Sequence, residues 1–337
     1  MTSQRRMPAE WEPHSGTWVG WAHNPETWPG CLPEAEAEFQ TLVETIAQSE
    51  TVHVLVHDAA HRAEVAARLG TANVKLHEVP TNDAWLRDTG PSFVHGGAGD
   101  LVAVDWGFNA WGGKYEPFDS DAAVAARIAA LCGARHERAA LTCEGGALEV
   151  DGEGTLLATR SSVLSDTRNP GITPERAALE LELRLGVSRT IWLDAALAGD
   201  DTDGHVDNIA RFVAPGRVVI AQAHDPAHPN AEILRACRDA LAREHDAHGR
   251  PLEVIDLPLP PPIEYQGTAL PASHVNFYIA NDRVVVPCFG TASDARALDI
   301  LAKCFPGRRI VGISGRVLVR GLGGPHCLTQ QQPRAAR

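Results

Sequence analysis

VDNIARFVAPGRVVIAQA, residues 206–223, reads as two β-strands joined by a tight turn, with β-branched and apolar residues on both sides of Ala-Pro-Gly. The same pattern recurs in PSFVHGGAGDLVAVDW (91–106), ALEVDGEGTLLATRSSV (147–163) and HVNFYIANDRVVVPCFG (274–290). Helical periodicity follows each pair, around 121–133, 174–186, 230–244 and 292–304. Single β-like runs come next, among them TIWLDA (190–195), LEVIDLPL (252–259) and RIVGISG (309–315). The unit is hairpin, helix, strand, four times over. A fifth copy assembles if the two ends of the chain complete each other, with HSGTWVGWA (14–22), a helix near 34–48 and TVHVLVH (51–57) lying beside CLTQQQP. Repetition at this spacing predicts one α/β domain over residues 1–337 with a radial, propeller-like arrangement, because each unit leaves a face that its neighbour must cover. An α/β sheet with two lobes is the alternative that pattern alone leaves open.

The polar residues fall in step with the repeat. Asp88 precedes the first hairpin, Glu144 the second, His205 and Asp207 open the third, Ser273 and His274 the fourth, and Cys327 begins the fifth. From Asp88 through Glu144, His205 and His274 to Cys327 the separations are 56, 61, 69 and 53 residues. In a closed ring, equivalent positions converge on the axis, so these five are expected to meet in one pocket.

Composition narrows the partners. The 337 residues hold 43 acidic against 30 basic side chains, a formal net charge of -13, which disfavours nucleic acid and anionic membranes and would draw in a cation. No run approaches a membrane span, and the seven cysteines are scattered with no CxxC pair, which predicts a cytoplasmic protein with reduced thiols.

GLGGPHC (321–327) places three glycines and a proline ahead of the cysteine, a costly choice for a core strand but one that lets backbone crowd a ligand and aim the thiol. His326 can lower the thiol pKa or point away, and adjacency favours the second. NDAWLRDTGP (82–91) sets Asp83 and Asp88 on either side of an aromatic and an arginine. GDDTDGHVDN (199–208) packs four aspartates around one histidine, without the distant glutamate of a calcium loop, and His-x-Asp directs His205 and Asp207 to one side of an extended chain. No HExxH or paired-cysteine spacing supports a metal, and no cofactor is expected. Carboxylates with a histidine and a thiol suit a guanidinium substrate: the carboxylates clamp its fork of N–H donors, the thiolate adds to its carbon, and histidine protonates departing ammonia and then activates water.

At these residues the chain resembles the agmatine deiminase family of guanidino-modifying, pentein-fold enzymes. The resemblance is carried by MPAEWEPHSGTWVGW (7–21), WLRDTGPSFV (85–94), DWGFNAWGGKY (105–115), EGGALEVDGEGTLLAT (144–159), RNPGIT (168–173), GHVDNIARF (204–212), SHVNFYIAN (273–281) and HCLTQQQP (326–333). It implies a pentein-type five-bladed ββαβ propeller with pseudo-fivefold symmetry. It implies further that Cys327 is the nucleophile, His205 the general acid and base, Glu144 the group that orients or protonates it, and Asp88 with Asp207 the guanidinium clamp. Asp201 would be a further substrate contact, and Trp85 and Trp111 would wall the aliphatic part of the substrate. The implied reaction is hydrolysis of agmatine to N-carbamoylputrescine and ammonia, a step of putrescine biosynthesis, by a protein whose flat sides suit a homodimer. Deimination of free arginine, with Arg87 or Arg160 meeting its carboxylate, amidino transfer to an amine, and a non-catalytic binding propeller are the alternatives. Ala147 after EGG, Pro325 before the HC pair and a GDDTDGH loop one residue short depart from the family's usual pattern, all close to the expected pocket.

Overall fold

The computed structural model describes residues 5–70 and 72–335. Five small mixed sheets carry the architecture, and in each an antiparallel strand pair is extended by a strand parallel to the second of the pair. Ser92–His95 and Leu101–Gly107 pair antiparallel, and Arg135–Thr142 returns parallel after helix Val124–Cys132. Glu149–Val150, Thr155–Thr159 and Arg189–Leu193 repeat the pattern around helix Pro174–Leu185. So do Ala210–Ala214, Arg217–Gln222 and Glu253–Pro258 around helix Ala231–Leu241. The fourth unit is Tyr278–Ile279, Arg283–Cys288 and Arg309–Ser314 around helix Ala292–Cys304. In the fifth, His14–Gly20 pairs antiparallel with Thr329–Pro333 and parallel with Val52–Val56, with helix Leu32–Ala47 between. The two ends of the chain therefore do complete one unit.

Local chemistry explains the boundaries. Thr173 caps helix Pro174–Leu185 by accepting the Arg176 N–H, proline occupies the first turn, and Gly186 ends it at φ 73°. Thr291 and Asp294 form a capping box on helix Ala292–Cys304. The middle strands of the units are apolar through nearly their whole length because helices cover one face and neighbouring units the other. Cores are shared between units. Val104 and Leu141 of the first pack with Leu156 and Leu181 of the second. Leu157 of the second, Ile220 and Leu234 of the third and Val286 and Leu301 of the fourth lie in one cluster. Val285 and Ile313 of the fourth join Val19 and Phe39 of the fifth, and Trp18 and Leu55 of the fifth join Phe93 and Ile128 of the first. Each fully buried side chain of this size contributes roughly 1.5–3 kcal/mol.

Three features extend the sequence reading. The fifth sheet gains a fourth strand, Val74–Glu78, after helix Ala59–Arg68. A two-residue hairpin, Glu264–Tyr265 with Thr268–Ala269, stands apart from the five sheets. The opening strand of the fourth unit is only two residues long, so residues 273–277 run as turn and coil beside the unit's start. No helix among the described residues is long and apolar enough to cross a membrane.

Candidate active site

The residues just ahead of the opening strands come together in one buried group, of which Asp88 and Cys327 line a cavity of about 730 Å³. Asp88 sits in the short helix Leu86–Thr89; Glu144 and His205 each precede a 3-10 turn, Gly145–Ala147 and Val206–Asn208; and Cys327 lies in the turn leading into Thr329–Pro333. The backbone N–H of Arg87 donates to the Cys327 carbonyl at 3.1 Å, which ties the first and fifth units together at the site.

Asp88, Glu144, His205, Asp207 and Cys327 are all buried. His205 Nε2 is 3.3 Å from Glu144 Oε2, and its Nδ1 is 3.6 Å from Asp88 Oδ1, too far for a hydrogen bond. Asp88 accepts the Trp111 indole N–H at 2.9 Å and the Gly146 N–H at 3.0 Å. The Cys327 sulfur lies 3.5 Å from Asp207 Oδ2. Gly146 is required here, since a Cβ would come within 2.6 Å of His205 Nδ1 and 2.8 Å of Asp88 Oδ1. Among the described residues, His205 Nδ1 and Asp207 Oδ1 are buried without a hydrogen-bond partner. Unpaired buried polar atoms are costly, and their clustering beside a thiol suits a polar ligand that would pair with them.

The electrostatics favour a cation. Burial pushes the Asp88 carboxyl up to about 6 despite the pull of His205 and Trp111. Burial works against protonation of His205, but Asp88, Glu144 and Asp207 overcome it and raise the imidazole to about 9. Burial would also raise Glu144 and Asp207, yet His205 and Arg168 hold Glu144 below its ordinary value and His326, His205 and Arg211 do so for Asp207. Burial first, and then the charges of Asp207 and Asp88, push the Cys327 thiol well above its ordinary value. A guanidinium between those carboxylates would remove that second penalty.

The tryptophans and Asp201 stand at the cavity wall. Trp85 and Trp111 line it, and Asp201 stands near the entrance, where it accepts the Tyr115 hydroxyl and approaches the Lys114 ammonium at 3.6 Å. Asp83 is also at the wall, held at 2.5 Å by the Thr27 hydroxyl and pushed to about 6 by burial. Ser273 and His274 do not join the site. The Ser273 hydroxyl donates to the Asn208 carbonyl, and His274 is spanned between the Pro258 carbonyl and Asp294, so both serve the packing of the fourth unit. Asn276, two residues on, reaches the site instead, its amide nitrogen 3.1 Å from the Cys327 sulfur. Arg87 pairs with Glu10 and Gln331, and Arg160 approaches Asp194 on the surface, so neither is offered to a ligand. Among the described residues lining the cavity, Arg320 is the only arginine or lysine, and it lies over the Tyr265 ring.

Beneath the site lie Arg168, Glu10 and Arg211, which sequence reasoning missed, together with His326, which it read as pointing away from the thiol. Arg168 directs Nε at both Glu144 oxygens, at 2.8 and 2.9 Å, Nη1 at Asp203 and Nη2 at the Thr202 carbonyl. His326 points away from the thiol, its ring nitrogens 2.7 Å from Asp207 and 2.9 Å from Glu10. Glu10 in turn pairs with Arg211, which also holds Glu149. The partners lie 24 to 316 residues apart in the chain, and the only sequence signal was that these residues fall in or beside the quoted motifs.

Comparison with known proteins gives a consistent picture. Residues 6–333 match the model of the Porphyromonas-type peptidyl-arginine deiminase family. The agmatine deiminase of Ectopseudomonas mendocina is 40% identical over 350 residues, 97% of this chain and 95% of that one. The solved agmatine deiminase of Enterococcus faecalis superposes with a TM-score of 0.93 at 34% identity, over 99% of this chain and 98% of that one. DDAH from Pseudomonas aeruginosa, at 12% identity and a TM-score of 0.53 over 95% of this chain and 99% of that one, shares the fold alone.

Proposed function

Because the chain belongs to the Porphyromonas-type peptidyl-arginine deiminase family, we propose that it hydrolyses agmatine at the guanidinium carbon to N-carbamoylputrescine and ammonia. The observation that carries this reading is the Cys327 sulfur 3.5 Å from buried Asp207, in one group with Asp88, Glu144 and a His205 imidazole that those carboxylates raise to about 9. The five units serve as blades of one propeller domain with pseudo-fivefold symmetry, a reading supported by the cores that each shares with the next.

In the reaction, the guanidinium lies between Asp88 and Asp207 and offsets their charge, and the thiol releases its proton to solvent. The thiolate adds to the guanidinium carbon, forming the C–S bond. Imidazolium of His205 gives its Nδ1 proton to one amino group, which leaves as ammonia when the C–N bond breaks. Neutral His205 then takes a proton from water as the water oxygen adds to the amidino carbon. The C–S bond breaks, the ureido product leaves, and the sulfur recovers a proton from the added hydroxyl. Glu144, held by Arg168, keeps the imidazole oriented through both halves and favours the charged form with which the cycle starts and ends.

The acidic wall favours an ammonium at the far end of the substrate over a carboxylate, since Asp83 and Asp201 stand there and Arg320 is stacked on Tyr265. Agmatine is therefore the substrate and free arginine a poor one. Cytoplasmic polyamine synthesis is a setting that would use this product. Ammonia release measured from agmatine and L-arginine in parallel tests the assignment: specificity for agmatine should exceed that for arginine by roughly 100-fold or more. Comparable values would move the substrate while keeping the chemistry.

The pH profile follows from the same groups. Asp88 must be ionised to clamp the cation, so kcat/KM falls as pH drops through about 6, and His205 must be protonated, so it falls again as pH rises through about 9. Glu144→Gln removes part of what raises His205, and the alkaline limb should move down by about one unit or more. An unmoved limb in a folded variant would separate Glu144 from His205. Gly146→Ala places a methyl against His205 and Asp88, and kcat should fall roughly 100-fold. A kcat near the wild-type value would mean that the floor of the site can yield.

A further inference from the structure

We infer that Asn276 is a catalytic residue, whose side-chain amide N–H holds the Cys327 sulfur in its thiolate form. This rests on Cys327 being the reacting group, as proposed above. The geometry fixes which end of the amide meets the sulfur. Asn276 Oδ1 accepts the backbone N–H of His326 at 3.0 Å and that of Cys327 at 3.4 Å. Those groups can only donate, so Oδ1 must face them and Nδ2 must face the other way. Nδ2 then lies 3.1 Å from Cys327 Sγ and 3.0 Å from Asn208 Oδ1, with one N–H for each. The residue is buried, and its partner Asn208 closes the 3-10 turn just ahead of the third unit's opening strand.

The sulfur needs such a donor. Its other side-chain neighbour, Asp207 Oδ2 at 3.5 Å, is an acceptor that opposes a thiolate. Among the described residues Asn276 is the side chain that donates to Sγ. Its donation strengthens as charge gathers on sulfur, both when the thiol loses its proton to solvent and when the C–S bond breaks at the end of the cycle. Gly324, ahead of the cysteine, makes room for it: a Cβ there would come within 2.6 Å of Asn276 Oδ1. The fourth unit thus contributes to the site through a carboxamide at Asn276, at the place where Ser273 and His274 do not reach.

Two variants separate this role from simple packing. Asn276→Ala removes the amide without adding charge, whereas Asn276→Asp keeps an oxygen for the His326 and Cys327 N–H groups and puts an acceptor in place of the donor that faces sulfur and Asn208. The readout is the rate of Cys327 alkylation by iodoacetamide across the neutral to alkaline range, resolved from the other cysteines by peptide mass spectrometry, beside kcat and KM for agmatine. Both variants should alkylate at Cys327 roughly tenfold more slowly at each pH, lose roughly 10- to 100-fold in kcat, and keep KM within about threefold. An alkylation profile of Asn276→Asp superimposable on wild type overturns the inference, as does failure of both variants to fold, which would give Asn276 a structural role. Ammonia release that survives complete alkylation of wild-type Cys327 would instead overturn the reading of the site itself.

Discussion

Replacing Cys327 by alanine lowers agmatine turnover by roughly 10⁴-fold or more while leaving the protein folded. The size follows from the proposed role: the thiol would supply the bond that divides one difficult displacement into two easier ones, and among the described residues lining the cavity Cys327 is the only cysteine. Retention of the fold is expected because Cys327 holds its neighbours through its backbone, with its carbonyl on the Arg87 N–H and its own N–H on Asn276, and alanine keeps both. Substrate should still bind, since the Asp88 and Asp207 clamp remains. Ammonia release beside calorimetric titration with agmatine checks all three points. Turnover within tenfold of wild type would remove the sulfur from the mechanism.

Arg168→Met is the second substitution with a large expected effect, and it acts on stability as well as on rate. The guanidinium is buried and meets Glu144, Asp203 and the Thr202 carbonyl, so its loss leaves the Glu144 carboxylate buried with His205 as its remaining charged partner. Breaking a buried ion pair in this way costs roughly 3–5 kcal/mol. A Glu144→Gln substitution added to Arg168→Met removes the uncompensated charge, and most of the lost stability should return. Activity should not return, because His205 then lacks the carboxylate that orients it. Denaturant unfolding and steady-state rates on the two single variants and the double variant make the cycle. Recovery of rate in the double variant would show that the pair serves packing alone.

The sequence carried much of this because hairpin signals repeat at nearly constant spacing, and in a repeat the residue just ahead of each opening strand has an equivalent place in space. That logic found Asp88, Glu144, His205, Asp207 and Cys327, and the structure brings all five together. It failed in the fourth unit for two physical reasons. The opening strand there has only two residues, which hides where the unit starts, and Ser273 and His274 are more reactive residue types than Asn276, which drew attention to the wrong pair. Arg168, Glu10 and Arg211 were illegible for another reason. A charged residue in a sequence reads as solvent-facing until its partner is known, and these partners are brought together only by the packing of units against one another. The strand Val74–Glu78 was missed because only Val74 and Leu76 are apolar among its five residues, at the edge of a sheet.

The central claim is that a carbon of the substrate becomes bonded to Cys327 during turnover. Rapid acid quenching of the wild-type enzyme at saturating agmatine, followed by peptide mass spectrometry, addresses it directly. The peptide that contains Cys327 should gain the mass of agmatine less one ammonia while substrate lasts and return to its unmodified mass once substrate is exhausted. A peptide unmodified at every quench time during active turnover, or the same mass carried on a different residue, would contradict the account.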